Sequence, residues 1–251
     1  MVEELRIVGL SGLPEFRPGD DLVSAIFYSL KSQGLVLQAG DILVITQKVV
    51  SKVENRIVVL TDVIPSARAE ELARTTNKDP RMVELVLRES VRVVRKAPGV
   101  LITETRHGFI CANAGIDSSN IPGEGVVSLL PLDPDRSACA LHLAVKERCG
   151  LDIPVIISDT FGRPWREGQT NVAIGVAGML PFIDYAGQQD PYGHELKVSA
   201  LAVADELASA VELVMGKLQG VPVALVRGFD YPRGNGSARD IIRPPERDLF
   251  R

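Results

Sequence analysis

Apolar residues recur along this chain with two different spacings, and each spacing predicts one kind of element. A spacing of three and four residues begins at Leu22 and continues through Ile26 and Leu30, after the acidic pair Asp20-Asp21. Such spacing places apolar side chains on one face of a helix. Similar patterns predict helices in SARAEELARTT, DPRMVELVLRESVRVVRK, DPDRSACALHLAVKERCG and ELKVSALAVADELASAVELVMGKL, the last of which is the longest.

Two of these predicted helices have recognisable ends. The segment DPRMVELVLRESVRVVRK starts with Asp79 as an N-cap and Pro80 at the first helical position. The segment DPDRSACALHLAVKERCG starts in the same way, and Gly150 is expected to close it.

Short runs of β-branched and apolar residues predict the strands. Ile42 to Thr46 forms one buried strand, and a polar break and further extended chain are expected after it. GVLITETR and GFICANAGI predict two strands around His107-Gly108, VIIS predicts a strand that stops at Ser158-Asp159-Thr160, and VPVALVRGF predicts a late strand. Strands and helices alternate irregularly, so the sequence predicts an α/β (mixed α+β) fold with a partly antiparallel sheet and packed helices.

No linker of Pro, Gly or Ser composition divides the chain. Residues 1–251 are therefore expected to form one domain, built as two intimately joined lobes between which the chain crosses more than once.

Composition excludes several classes of protein. The chain has 251 residues, 45% hydrophobic and 24% charged, with a formal net charge of −4, which gives no basic field for nucleic acid. The apolar run VAIGVAGMLPFI at residues 172–183 is too short to cross a bilayer, and no signal peptide is evident. Three cysteines without C-x-x-C spacing are typical of reduced thiols, so we expect a cytoplasmic protein without membrane contact.

Familiar catalytic motifs are absent from the sequence. There is no G-x-x-x-x-G-K-[ST] loop and no G-x-S-x-G elbow, and GNGSAR has Arg239 at the last position of the G-x-G-x-x-G pattern. A Rossmann or P-loop site is therefore not expected. His107, His142 and His194 lack metal-ligand spacing.

Two aspartates at predicted strand ends are the candidate metal ligands. Asp117 is followed by Asn120, and Asp159 is followed by Thr160. Mg²⁺ and Mn²⁺ prefer carboxylate oxygens together with substrate phosphates and waters. The alternative is that both aspartates cap turns by accepting backbone hydrogen bonds.

Three other segments carry weaker signals. Gln47, Lys48 and Lys52 follow a predicted strand, where the lysines could neutralise phosphate oxygens or be solvated surface groups. Phe16 could cover an aromatic base or fill the core. Arg163, Trp165 and Arg166 could recognise a substrate ring and anion, or anchor an interface.

Taken in order, these segments resemble the coenzyme F420:L-glutamate ligase family. The resemblance runs from about residue 7 to residue 250 and is carried by GLPEFRPGDDL, TQKVVSK, TETRHGFICANAGIDSSN, ISDTFGRPWREGQTNVAIG, YAGQQDPYGHEL, VADELASAVELVMGKLQGVPVALVRG and SARDIIRP. It implies a GTP-dependent ligase that adds L-glutamate to coenzyme F420-0 and F420-1 through an acyl phosphate, releasing GDP and phosphate. It also implies Mg²⁺ or Mn²⁺, with K⁺ as a further candidate, and a homodimer.

The resemblance assigns roles to individual positions. Asp117 and Asp159 are implied as catalytic residues and, with Thr160, as metal ligands. The implied nucleotide contacts are Leu13, Pro14, Glu15, Phe16, Gln47, Lys52, Asn120, Met215, Gly216 and Lys217. Arg163, Trp165 and Arg166 are expected to face the coenzyme precursor.

Two departures from the family pattern affect these expectations. Lys217 stands where many archaeal relatives offer a side-chain oxygen to a metal, so a second metal could be lost or held otherwise, or the lysine could bind phosphate. The nitroreductase-like domain that follows the ligase region in some bacterial relatives is not expected here.

Three alternatives to this function stay open at the level of sequence. They are a related amide-forming ligase for another carboxylate, a non-catalytic GTP-binding regulator, and a metal-dependent phosphohydrolase.

Overall fold

The computed structural model describes residues 4–249 of the chain. In chain order the elements are β1 (Arg6–Gly9), α1 (Leu22–Ser32), β2 (Ile42–Thr46), α2 (Gln47–Val53), β3 (Ile57–Val59), α3 (Ala67–Thr76), α4 (Pro80–Arg88), β4 (Ser90–Ala97), β5 (Val100–Thr105), β6 (Ile110–Ala112), β7 (Val126–Ser128), α5 (Pro134–Cys149), β8 (Val155–Arg163), β9 (Arg166–Ala177), β10 (Ile183–Asp184), β11 (Ala200–Leu201), α6 (Val203–Met215) and β12 (Val223–Arg227).

A five-stranded sheet with the order β1-β12-β2-β8-β9 is the centre of the fold. Only β2 and β8 run parallel within it, while its other neighbours are antiparallel. Smaller sheets pair β3 with β7, β10 with β11, and β4 with β5 and β6. The mixed α/β fold with a partly antiparallel sheet is therefore confirmed.

Buried apolar residues form two clusters. The first surrounds the five-stranded sheet and includes Ile42, Ile156 and Leu225. The second lies among α3, α4, β5 and β7 and includes Leu72 and Val83. The chain passes from the first cluster to the second after α2 and returns after β7, although Phe109 between β5 and β6 belongs to the first cluster. The division of the chain into domains stays a prediction.

The predicted caps are present. Asp21 caps α1 through the Ser24 amide, and Asp79 caps α4 with Pro80 in the first turn. Gly150 ends α5 in the left-handed conformation, which a glycine adopts without steric cost.

Three sequence predictions of local structure are wrong. The polar break and extended chain predicted after Thr46 contain a helix, α2, whose Val49, Val50 and Lys52 are buried, and the extended chain is confined to β3. The helix predicted through DPRMVELVLRESVRVVRK ends at Arg88, and the β-branched residues after Ser90 form β4. The helix predicted from Glu195 begins at Val203, so α5 is longer than α6.

The fourth correction concerns the candidate site. The strand expected to stop at Ser158 continues as β8 to Arg163, because β9 pairs with it along its whole length. Asp159 and Thr160 therefore lie within a long hairpin, opposite Val172 and Asn171.

Candidate functional site

A cluster of charged side chains forms where α2 follows the end of β2. The parallel pairing of Thr46 with Ser158 places the start of α2 beside Asp159. Lys48 and Lys52 are four residues apart, so both lie on one face of α2. Segments 13–16, 117–120 and 212–217 complete the cluster, as the following contacts show.

Asp117 is held by Lys48 and Ser119. Lys48 Nζ lies 2.6 Å from Asp117 Oδ2, and Ser119 donates its hydroxyl to the same oxygen at 2.6 Å and its backbone N–H to Oδ1 at 2.8 Å. Burial alone raises the pKa of Asp117, but these hydrogen bonds and the lysine charge offset burial and leave the pKa below its usual value. Asp117 is therefore ionised at neutral pH.

The effects on the pKa of Asp159 add up in the opposite direction, and its pKa is raised. Asp159 keeps some accessible surface but is surrounded by protein atoms, and this burial raises its pKa to about 7. The N–H of Thr160 and the charges of Lys48 and Lys217 lower that pKa, while the charge of Asp117 raises it. The two predicted metal ligands are thus close enough for their charges to interact.

Lys52 joins the loop before α1 to the segment after Asp117. Its buried side chain forms an ion pair with Glu15 and donates to the carbonyl oxygen of Asn120 at 3.0 Å. Lys48 makes a similar link to the Ser119 carbonyl at 2.6 Å. The two lysines of α2 therefore hold loops 13–16 and 117–120 against the helix.

Lys217 forms the other side of the cluster. Its Nζ lies 2.5 Å from Thr160 Oγ1 and 3.2 Å from Glu212 Oε1. Asn171 accepts from Thr160 at 2.7 Å and donates to Glu212 Oε2 at 2.9 Å. Asn120 reaches this side as well, because its Nδ2 donates to the Lys217 carbonyl at 3.3 Å.

The structure thus brings together seven of the predicted site residues, whose roles stay a prediction: Glu15, Lys52, Asp117, Asn120, Asp159, Thr160 and Lys217. It also places Lys48, which the sequence offered as a lysine that could neutralise phosphate, in the cluster, and it adds Ser119, Asn171 and Glu212 to the candidate set. Lys48 was visible in the sequence as a second lysine four residues from Lys52. Glu212 and Asn171 gave no signal, because their roles depend on the packing of α6 against β9.

Four of the residues implied as nucleotide contacts have side chains that are buried or packed against the core. Phe16 is 5% exposed and belongs to the core, which was one of its two alternatives, and Met215 is 1% exposed. Gln47 is buried and accepts from Ser51 at 2.8 Å. Leu13 packs against the core. Their assignment as nucleotide contacts stays a prediction.

The three residues expected to face the coenzyme precursor lie at the tip of the β8–β9 hairpin. Arg163 pairs with Arg166 across the turn and donates to the Glu167 carbonyl at 2.8 Å. Trp165 is 78% exposed. Arg163 lies three residues beyond Thr160 along the extended strand, a distance of about 10 Å. The structure places these residues outside the hydrogen-bonded cluster, and their substrate role stays a prediction.

The ligand set suits a divalent cation that also binds a substrate. Asp117 and Asp159 supply the hard oxygen ligands that Mg²⁺ and Mn²⁺ prefer. Among the described residues, however, no group of three or more His, Cys, Asp or Glu side chains could hold a metal ion. A cation at these two carboxylates would take its other ligands from phosphate or water.

Two further features lie away from the cluster. A groove of about 800 Å³ is lined by α5 residues and by residues 233–237, near the end of β9 that pairs with the start of β8. In residues 4–249 no helix combines the length and the apolar character needed to cross a membrane.

Comparison with known proteins gives a consistent result. A family model described as F420-0:Gamma-glutamyl ligase matches residues 12–228. A protein of Methanothermobacter thermautotrophicus named coenzyme F420:L-glutamate ligase is 44% identical over 98% of this chain and 99% of its own length. A protein of the same name from Methanopyrus kandleri is 48% identical over 94% of this chain and 93% of its own length. Another from Methanocaldococcus jannaschii is 42% identical over 100% of this chain and 100% of its own length.

Proposed function

This chain belongs to the F420-0:gamma-glutamyl ligase family and is a ligase, and from that premise we propose that it adds L-glutamate to coenzyme F420-0 and F420-1 with GTP as co-substrate. The observation that carries the proposal is the convergence of Asp117 with three lysines in one hydrogen-bonded cluster, with Asp159 near enough for its charge to interact with Asp117, Lys48 and Lys217. Such a cluster has the charges that a nucleoside triphosphate and a divalent cation require.

The first proposed step transfers the γ-phosphoryl group of GTP to the terminal carboxylate of the coenzyme precursor. A bond forms between a carboxylate oxygen and the γ-phosphorus, and the bond from that phosphorus to the β-phosphate oxygen breaks. The products are an acyl phosphate and GDP. The barrier is electrostatic, because two anions must approach each other.

The lysines reduce this barrier by exchanging partners. In the structure Lys48 contacts Asp117, Lys52 contacts Glu15, and Lys217 contacts Glu212. Phosphate oxygens compete for the same ammonium groups and form charge-assisted hydrogen bonds with them. Lys48 and Lys52 are the stronger candidates, since their side chains are 16% and 10% exposed and are held in place by the loops around them.

Asp117 and Asp159 would hold Mg²⁺ or Mn²⁺, which supplies charge neutralisation at the phosphate oxygens. The raised pKa of Asp159 supports this role, because a carboxylate that is costly to ionise alone gains most from a neighbouring cation. A K⁺ ion stays a prediction.

The second proposed step forms the amide. The amine nitrogen of L-glutamate attacks the acyl carbon and loses a proton, and phosphate leaves with the bonding electrons. This step needs proximity and exclusion of water, and it needs no nucleophilic side chain. The absence of a nucleophile elbow from the sequence is consistent with such chemistry.

The test is a mass measurement. Purified protein is mixed with GTP, Mn²⁺, L-glutamate and F420-0, and we expect products heavier by one or more glutamyl groups together with equal amounts of GDP and phosphate. Asp117→Asn is the matched variant, since it keeps the shape of the side chain and removes its charge. We expect it to lose turnover at least a hundredfold and to stay folded, with a lower thermal unfolding midpoint than the parent because Lys48 loses its carboxylate partner.

Three other results would replace the proposal. GTP loss without a glutamylated product identifies a phosphohydrolase, and nucleotide binding without turnover identifies a regulator. Product formation on another carboxylate but not on F420-0 identifies a related ligase. We further propose that the chain forms a homodimer, which light scattering tests directly by mass.

A further inference from the structure

The ammonium group of Lys217 contacts two side-chain oxygen atoms, which are the kind of neighbours that a bound metal cation has. Its Nζ is 2.5 Å from Thr160 Oγ1 and 3.2 Å from Glu212 Oε1. Lysine has three donors and no acceptor, so both oxygens must accept from it. Although 56% of the Lys217 side chain is exposed, its charged end has partners from β8 and from α6.

These oxygen atoms are held in place independently of Lys217. Asn171 is 2% exposed, accepts from Thr160 Oγ1 through Oδ1, and donates to Glu212 Oε2 through Nδ2. The Asn171 carbonyl accepts from Ser209 Oγ at 2.7 Å, which ties it to α6. Thr160 and Glu212 therefore present a built pair of oxygens, and a cation placed there would need no rearrangement of the strand or the helix.

The backbone on both sides of Lys217 directs it to this position. Gly216 has φ 57° and ψ −176°, a conformation that glycine adopts readily and other residues rarely do. A Cβ at position 216 would lie 2.2 Å from Gln219 Oε1. The Lys217 carbonyl accepts from Asn120 Nδ2, which connects the turn to the loop that carries Asp117.

We propose that the Lys217 ammonium is a resident cation of this site and that it occupies a position which would otherwise bind a second metal ion. The inference rests on the proposed function, in which Asp117 and Asp159 hold one divalent cation. Two positive charges a few ångströms apart repel each other, so the lysine excludes a further divalent ion from the oxygens of Thr160 and Glu212. This chain therefore binds one divalent cation per site, and Thr160 contacts the lysine and not a metal.

The test counts bound Mn²⁺ in the full chain with equimolar GDP, from the paramagnetic resonance signal of free Mn²⁺. We expect one Mn²⁺ per wild-type chain. Lys217→Asn removes the charge and supplies a side-chain oxygen, so it should bind two Mn²⁺ and show the coupled signal of a neighbouring pair. Lys217→Met removes the charge, keeps the length of the side chain and leaves the oxygens of Thr160 and Glu212 free, so it should also bind two Mn²⁺, the second more weakly than in Lys217→Asn.

Each outcome decides the inference. Two Mn²⁺ in the wild-type chain, or one in Lys217→Asn, overturns it and leaves the proposed function standing. No Mn²⁺ in the wild-type chain, with GDP bound, overturns the metal site of the proposed function as well. Thermal unfolding midpoints within about 2 °C of the parent show that the variants are folded, as expected for an exposed side chain.

Discussion

Replacing Asp159 by asparagine should stabilise the ligand-free protein while it abolishes ligase activity. Burial raises the pKa of Asp159 from 3.8 to about 7. At 1.36 kcal/mol for each tenfold change in acidity, keeping this carboxylate ionised costs about 4 kcal/mol at most. Because the side chain keeps some accessible surface, screening by water reduces the cost, and we expect a gain of about 2 kcal/mol in the free energy of unfolding.

The sign of the effect follows from proton binding. The folded state has the higher pKa, so between about pH 4 and about pH 7 the unfolded chain loses this proton first. Wild-type stability therefore falls across that window, and the loss is complete above it. The asparagine side chain of the variant cannot ionise, so the difference between the two proteins grows with pH over the same range.

Urea unfolding in EDTA without nucleotide measures this difference at about pH 5 and about pH 8.5. We expect the Asp159→Asn protein to have the higher free energy of unfolding at the higher pH and a smaller advantage at the lower pH. Adding Mn²⁺ should stabilise wild type more than the variant. Asp152→Asn is the control, because the hydrogen bond and charge of Lys146 lower the pKa of this exposed carboxylate and its replacement should give no stabilisation. An equal stability of the Asp159→Asn and wild-type proteins at both pH values would refute the reasoning.

Three further predictions concern single contacts. Lys52→Ala should weaken GDP binding about tenfold in calorimetric titration, because it removes a charge-assisted hydrogen bond. Gly216→Ala should lower the free energy of unfolding by about 1–3 kcal/mol in urea, since its φ of 57° and ψ of −176° strain any residue with a Cβ. Arg227→Met should lower the free energy of unfolding by about 3–5 kcal/mol in the same assay. The Asp41 carboxylate is fully buried, and the variant removes its two hydrogen bonds from the guanidinium, at 2.7 and 2.8 Å. A loss below about 1 kcal/mol would contradict this.

Elements with strong local signals could be predicted from the sequence. The strand Ile42–Thr46 was placed correctly, and so were the starts of α4 and α5, because an Asp cap with a following Pro specifies a helix start without tertiary contacts. The length of β8 could not be predicted, since residues 159–163 are polar and extend only because β9 pairs with them. Tertiary pairing overrode composition in that segment.

In the candidate site, too, some residues could be predicted from local sequence and others depend on tertiary contacts. Carboxylates and lysines that follow apolar runs could be recognised, because such positions lie at the ends of buried strands. The contact of Thr160 with Asn171 depends on a register shift between Ile157 and Ser158, and no residue pattern specifies that shift. Glu212 reaches the site from α6, and a helix position shows its partner only after the helix is packed.

The strand order has a consequence for the synthesis of this protein. β12 lies between β1 and β2, so one edge of each of these early strands has no partner in the sheet until residues 223–227 have arrived. During translation these residues leave the ribosome after every other strand of the sheet, and two strand edges stay open until then. A nascent chain that stalls before Val223 would leave β1 unpaired and β2 paired on one edge only, and would expose both to aggregation. Because Arg6 pairs with Arg227, the final closure joins residues that are far apart in the sequence, and such distant pairing makes folding slow.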